Sequence, residues 1–208
     1  MAQGKGRLLG TRRVIAGHFG LAAFVKSRER RAPLWALMLA AVWLDIVFVP
    51  LFLAGVETIR RLPGARGSYG TGIIYADYTH SLVGSAFLSA LLGAAAAARW
   101  GRRTGIVVAL VALSHWVLDL VVHRADMPLL PANAGSLPRL GFGLWRSPTA
   151  SASVEFALLV VGAWTYWHAT RGITPAAGQD RRRGTLVTAL ILIGGTLLLA
   201  LDFTGTDE

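Results

Sequence analysis

Five apolar runs constrain this chain more than anything else in it. They lie near Leu34–Gly55, Thr79–Ala98, Gly105–His123, Ala150–Ala169 and Thr185–Leu201. A helix crosses a bilayer with about 17–25 apolar residues, whereas a barrel strand needs about 9–11. Backbone in hydrocarbon must satisfy itself, so runs of this length suit helices. The expected fold is all-α: a polytopic helical membrane bundle of about five transmembrane helices with a short N-terminal apolar helix over Val14–Val25. Composition agrees, since 54% hydrophobic against 15% charged residues is too apolar for an ordinary soluble domain. The expected organisation is a flexible basic N-terminus over 1–13, one helical membrane domain over 14–203 and a short acidic tail over 204–208.

The formal charge of +10 invites a nucleic-acid reading, but its distribution argues against one. If the five runs alternate, residues 1–32 and the loops 99–104 and 170–184 share a side and carry fifteen Lys/Arg, against six opposite. Basic loops mark the cytoplasmic face, which predicts a cytoplasmic N-terminus and no nucleic-acid partner. The partner expected from composition is the lipid bilayer. Val14–Val25 runs into Lys26-Ser-Arg-Glu-Arg-Arg without an Ala-x-Ala pattern, so no cleavable signal is expected. The chain has no cysteine, which excludes disulfides, thiolate metal sites and cysteine nucleophiles.

The chemistry concentrates in Ser114–His123. His115, Asp119 and His123 fall four apart in a stretch otherwise free of ionisable residues from Ile106 onward. On a helix each then lies about 40° and 6 Å from the last, forming one polar stripe. Ionisable groups at membrane depth are costly and persist where they pair, bind an ion or face a cavity.

Other ionisable groups share that level if the spans alternate. Asp77 and His80 begin the second run, and Glu155 lies about two turns into the fourth. Asp45 is near the middle of the first run. Asp77 reads as a site residue or as a helix cap. Asp77, Ser81, Ser85, Ser89 and Gly93 recur every four residues and would admit a neighbouring helix closely. His168, among Trp164, Tyr166 and Trp167, reads as part of an interface belt. The apolar, proline-containing loop 124–147 is expected to fold over the end of the bundle.

Inward-facing histidines and carboxylates are how bundles build metal sites. The expected ligands of a divalent ion, zinc first, are His18, His80, His115, Asp119 and His123, with Asp45, Asp77 and Glu155 as catalytic carboxylates. Such a centre predicts a metal-dependent hydrolase acting on a lipid-like or other ester or phosphoester. An ion- or proton-coupled transporter needs similar intramembrane groups and is the alternative. His18 joins the set only if Val14–Val25 inserts into the bundle.

Thr79-His80-Ser81, followed by Ser114-His115-Trp-Val-Leu-Asp119 and Pro128, resembles the YdjM-like family of inner-membrane metal-dependent hydrolases. The order of His18 and Asp45 matches too, and the likeness covers roughly His18–Pro131. It implies a helical protein of the bacterial inner membrane with a hydrolase activity. A His-x-x-x-Asp pair like His115/Asp119 is also similar to metal ligands of zinc phospholipase C and the single-strand-specific zinc nucleases. The chain departs from the family in having 17 residues before His18 and only Asp45 where two aspartates are common.

Overall fold

The computed structural model describes residues 15–62, 72–171 and 178–204. The basic segment 1–13, the stretch around Pro63 and tail residues 205–208 lie outside the described residues.

The fold is mostly helical. In chain order it has α1 (Ala16–Arg28), α2 (Leu34–Ala41), α3 (Trp43–Leu53), β1 (Thr58–Arg61), β2 (Gly72–Tyr75), α4 (Leu82–Trp100), α5 (Arg102–Val122), α6 (Pro148–Arg171) and α7 (Gly178–Thr204). The strands form an antiparallel hairpin in which Thr58 faces Tyr75 and Arg61 faces Gly72.

Among the described residues, three helical segments are long and apolar enough to cross a membrane: Leu82–Trp100, Arg102–Val122 and Arg182–Leu201. The pair α2 and α3 meets the same measure jointly, with a 47° bend between them. The bend is at Val42, whose φ of −117° and ψ of 14° leave the helical region, not at Pro50 inside α3. The expected fourth span, α6, has 24 residues but is not among the apolar set. Ser151, Ser153 and Glu155 near one end, and Tyr166 and His168 near the other, dilute it. Large apolar side chains such as Phe87, Leu110, Leu190 and Ile193 are exposed on α4, α5 and α7, as on helices that face lipid.

Packing follows the small residues. α4 and α5 form an antiparallel pair joined by Gly101 alone, whose φ of +88° a side chain would resist. Ser85, Ser89, Gly93 and Ala96 are the buried face of α4, so the four-residue stripe is its packing edge. Ser81 caps α4 by accepting from Gly84 N at 3.1 Å. α1 packs chiefly on α6. A Cβ on Gly162 would strike the Gly20 carbonyl oxygen, and one on Gly20 would strike Leu158 O, so the two backbones cross in contact.

α1 runs antiparallel to α5. Glu29, just past its end, pairs with Arg103 at the start of α5 at 2.7 Å, while His18 reaches Asp119 near the other end of α5. The loop after α5 folds back over the bundle as expected. Leu82 N and Val83 N donate to Pro128 O and Leu129 O, Met127 pairs with Leu140, and Trp145 is buried.

Candidate metal centre

The centre forms where α1, α3, α4 and α5 meet. α5 brings His115, Asp119 and His123, of which His115 and Asp119 are on its buried face. His80 precedes the cap of α4. Asp45 enters from the first turn of α3, just after the break. His18 enters from α1, which is inserted in the bundle as its participation required. His18, His80, His115, Asp119 and His123 are each no more than 6% exposed.

Three histidines are oriented by their outer nitrogens. His115 Nδ1 lies 2.7 Å from Ala41 O, and a carbonyl only accepts, so this nitrogen carries the proton. His123 Nδ1 donates in the same way to Asp126 Oδ1 at 3.0 Å. The other Asp126 oxygen accepts from Ile74 N on β2 at 3.0 Å. Thr79 Oγ1 donates to Glu57 Oε2 at 2.9 Å, which leaves its oxygen to accept from His80 Nδ1 at 2.8 Å. Glu57 is fully buried and also accepts from Tyr78 N and Thr79 N. A neutral ring protonated at Nδ1 turns Nε2 toward the centre as its acceptor atom, the arrangement that second-sphere partners impose on metal-ligating histidines.

Those lone pairs converge. From Asp119 Oδ2, the Nε2 atoms of His115, His80 and His123 lie at 3.2, 3.5 and 3.6 Å. His18 Nε2 is 3.3 Å from Asp119 Oδ1. Asp45 stands 3.7 Å from His115 and 3.8 Å from His80. Charge-assisted N–H···O bonds are shorter, at about 2.7–2.9 Å. An ion with tetrahedral bonds of about 2.0–2.2 Å holds neighbouring donors about 3.3–3.6 Å apart. Three of the six distances, 3.3, 3.5 and 3.6 Å, fall in that range, and all six are longer than a charge-assisted hydrogen bond. Two three-ligand groups meet the spacing, His18/His115/Asp119 and Asp45/His80/His115, each with its donor atoms within 4.8 Å of one another. Neither ring nitrogen of His18 has a hydrogen-bond partner among the described residues, and ligation would satisfy one of them. Buried His/Asp groups able to hold a metal ion are therefore present. A cavity of about 20 Å³ lies among Asp45, His80, His115, Asp119 and His123, lined also by Ile74 and Trp145, with room for an ion or one water.

Six expected site residues come together here: His18, Asp45, His80, His115, Asp119 and His123. Two have other engagements. Asp77 makes a two-pronged pair with Arg139 at 2.6 and 2.9 Å, and Arg139 also donates to Asp126 O. That pair ties the loop after α5 to the start of α4. Glu155 is buried on α6 and accepts from Gly17 N at 3.4 Å, next to His18. His168 packs against Trp164 and Trp167, with ring centroids 4.5 and 5.0 Å away. Sequence reasoning missed Glu57, Asp126 and Trp145, whose ring lies 4.2 Å from that of His123. Asp126 was findable three residues after His123; Glu57 carried no signal.

No protein-family model, curated protein or solved structure matches the chain.

Proposed function

We propose that this chain is a polytopic protein of a bacterial cytoplasmic membrane and a metal-dependent hydrolase of esters or phosphoesters. The observation that supports this most is the convergence of four Nε2 atoms on Asp119 at 3.2–3.6 Å, three of them with their other ring nitrogen already engaged. The ligands would be His18, His80, His115, Asp119 and His123. A divalent ion there, zinc by donor type, would supply Lewis acidity toward the scissile linkage and make water acidic enough to act near neutral pH.

The chain's own groups provide the rest. Asp45 is the most accessible carboxylate of the cluster, its side chain 14% exposed against 8% for Asp119, and can take the proton of the attacking water. Water adds across the linkage, giving an acid and an alcohol. The loop bearing Trp145 covers the cavity and limits bulk water. The likeness of His80, His115 and Asp119 to the YdjM-like pattern points the same way. Purified protein in detergent should turn over a lipid-like phosphoester or ester and lose that activity to a chelator. Metal-replete protein inert toward such substrates would count against the reading.

A transporter is favoured by one feature, the α2/α3 break beside Asp45, because broken helices line ion and substrate sites in secondary transporters. It predicts gradient-dependent flux in vesicles without turnover.

A further inference from the structure

The cavity at the centre is too small for a substrate. At about 20 Å³ it admits only an ion or a water, so a substrate's reacting group must arrive from an adjoining space. Asp45 also lines a much larger cavity of about 470 Å³, bounded by Phe19, Phe48, Val49, Phe52 and Leu198. That volume is in the range of small-molecule sites, about 300–1,000 Å³. Among the described residues, Asp45 is the only ionisable one in its lining. Phe48 separates it from His80, its ring edge-on to the imidazole at 6.0 Å. Apart from Asp45 the cavity's lining is apolar, and on the α3 side Ile46 and Val49 are more than two-fifths exposed.

A second apolar cavity of about 270 Å³ continues it. The two share Phe19 and Leu198, and the second extends past Met38 to Leu34. From Asp45 back to Leu34 the trough follows eleven residues of helix, about 15 Å. It therefore has a charged end at the metal ligands and an apolar length open to the side. A water-soluble substrate would leave that length empty. A chain entering sideways from the bilayer would fill it.

We propose that the substrate is an acyl-chain amphiphile, with its ester or phosphoester linkage at Asp45 and its chain in the trough between α1, α3 and α7. This rests on the hydrolase reading for the chemistry but not for the binding. The test uses full-length protein in nanodiscs and a diacyl phosphate carrying a photoreactive group at the end of one chain. Mass spectrometry maps the labelled residues, and zinc content is measured on the same samples.

Label is expected on Phe19, Val49 and Leu198. The double change Val49→Trp with Leu198→Trp should cut it about tenfold while bound zinc is unchanged. If that variant does not fold, competition on the wild type decides. An unlabelled long-chain diacyl phosphate should displace the probe, and diethyl phosphate should not. Label confined to lipid-facing residues such as Phe87 and Leu110, or label that the long chain does not displace, overturns the proposal. Wild-type protein that binds no zinc yet labels in the trough overturns the hydrolase reading and leaves the acyl site standing.

Discussion

His115 meets four other members of the centre, Asp45, Asp119, His18 and His80. Its Nδ1 is fixed on Ala41 O, its Nε2 faces both Asp45 and Asp119, and its ring lies 4.2 Å from that of His18. Replacing His115 with alanine should remove most bound metal, measured by elemental analysis of purified protein. Glu57→Gln and Asp126→Asn should weaken metal affinity about 10–100-fold although neither residue faces the ion; unchanged affinity in both would deny them a part in orienting His80 and His123. The clustered residues were legible in the sequence because an imidazole or carboxylate in an apolar run has few reasons to be there. Glu57 and Asp126 sit in polar connections, where a carboxylate is unremarkable by composition. Asp77 shared the expected level but is drawn to Arg139, 62 residues away, and nothing local announces such a partner.

The elements show why α1 was hardest to read. Its 13 residues are about 20 Å of helix, too few to be counted as a span, so its depth had no signal. Contact with α6 through Gly20 and Gly162 fixes that depth. Gly162→Ala should push α1 away, costing at least about 1–3 kcal/mol and releasing metal, as read by thermal melting and metal content together. Gly194→Ala is the control, since a Cβ there meets nothing within 4 Å, and it should hold or raise the melting temperature. At the far end of α1, the backbone N–H of Arg31 and then the Arg103 guanidinium hold the Glu29 carboxyl below its ordinary value. A carboxylate depressed on folding stabilises above its unfolded pKa and loses that contribution as pH falls through its folded one. Wild type should therefore lose melting temperature relative to Glu29→Gln below a pH of about 4.5. The β-hairpin, unforeseen among so many helices, braces the centre by bringing Ile74 N to Asp126.

At the scale of the molecule, the runs that became α4, α5 and α7 were legible because length and apolarity are local properties. The bend at Val42 was not, because Leu34–Gly55 reads as one unbroken apolar run. The antiparallel placement of α1 also bears on orientation. Ile15 lies near the level of the His/Asp cluster, and Glu29 at the level of Arg103, at opposite ends of α5. If α5 runs outward, Ile15 is on the outer side, and assigning the four Lys/Arg before it to that side makes the division eleven against ten instead of fifteen against six. A tag at the N-terminus is then expected to be accessible from the same face as Arg139, and a reporter at Arg103 from the other. An N-terminal tag protected together with Arg103 would show that the chain before Ile15 returns through the bilayer.

The bond between Gly17 N and Glu155 spans 138 positions of sequence. α1 leaves the ribosome first, yet its principal packing surface, α6, is synthesised after α5 is complete. His18 must therefore wait while Asp45, His80, His115, Asp119 and His123 are made and inserted. Completion of the His/Asp cluster is then a late event in biogenesis, and a chain cut short before Pro148 would carry all six of its residues while lacking the helix that holds His18 in place.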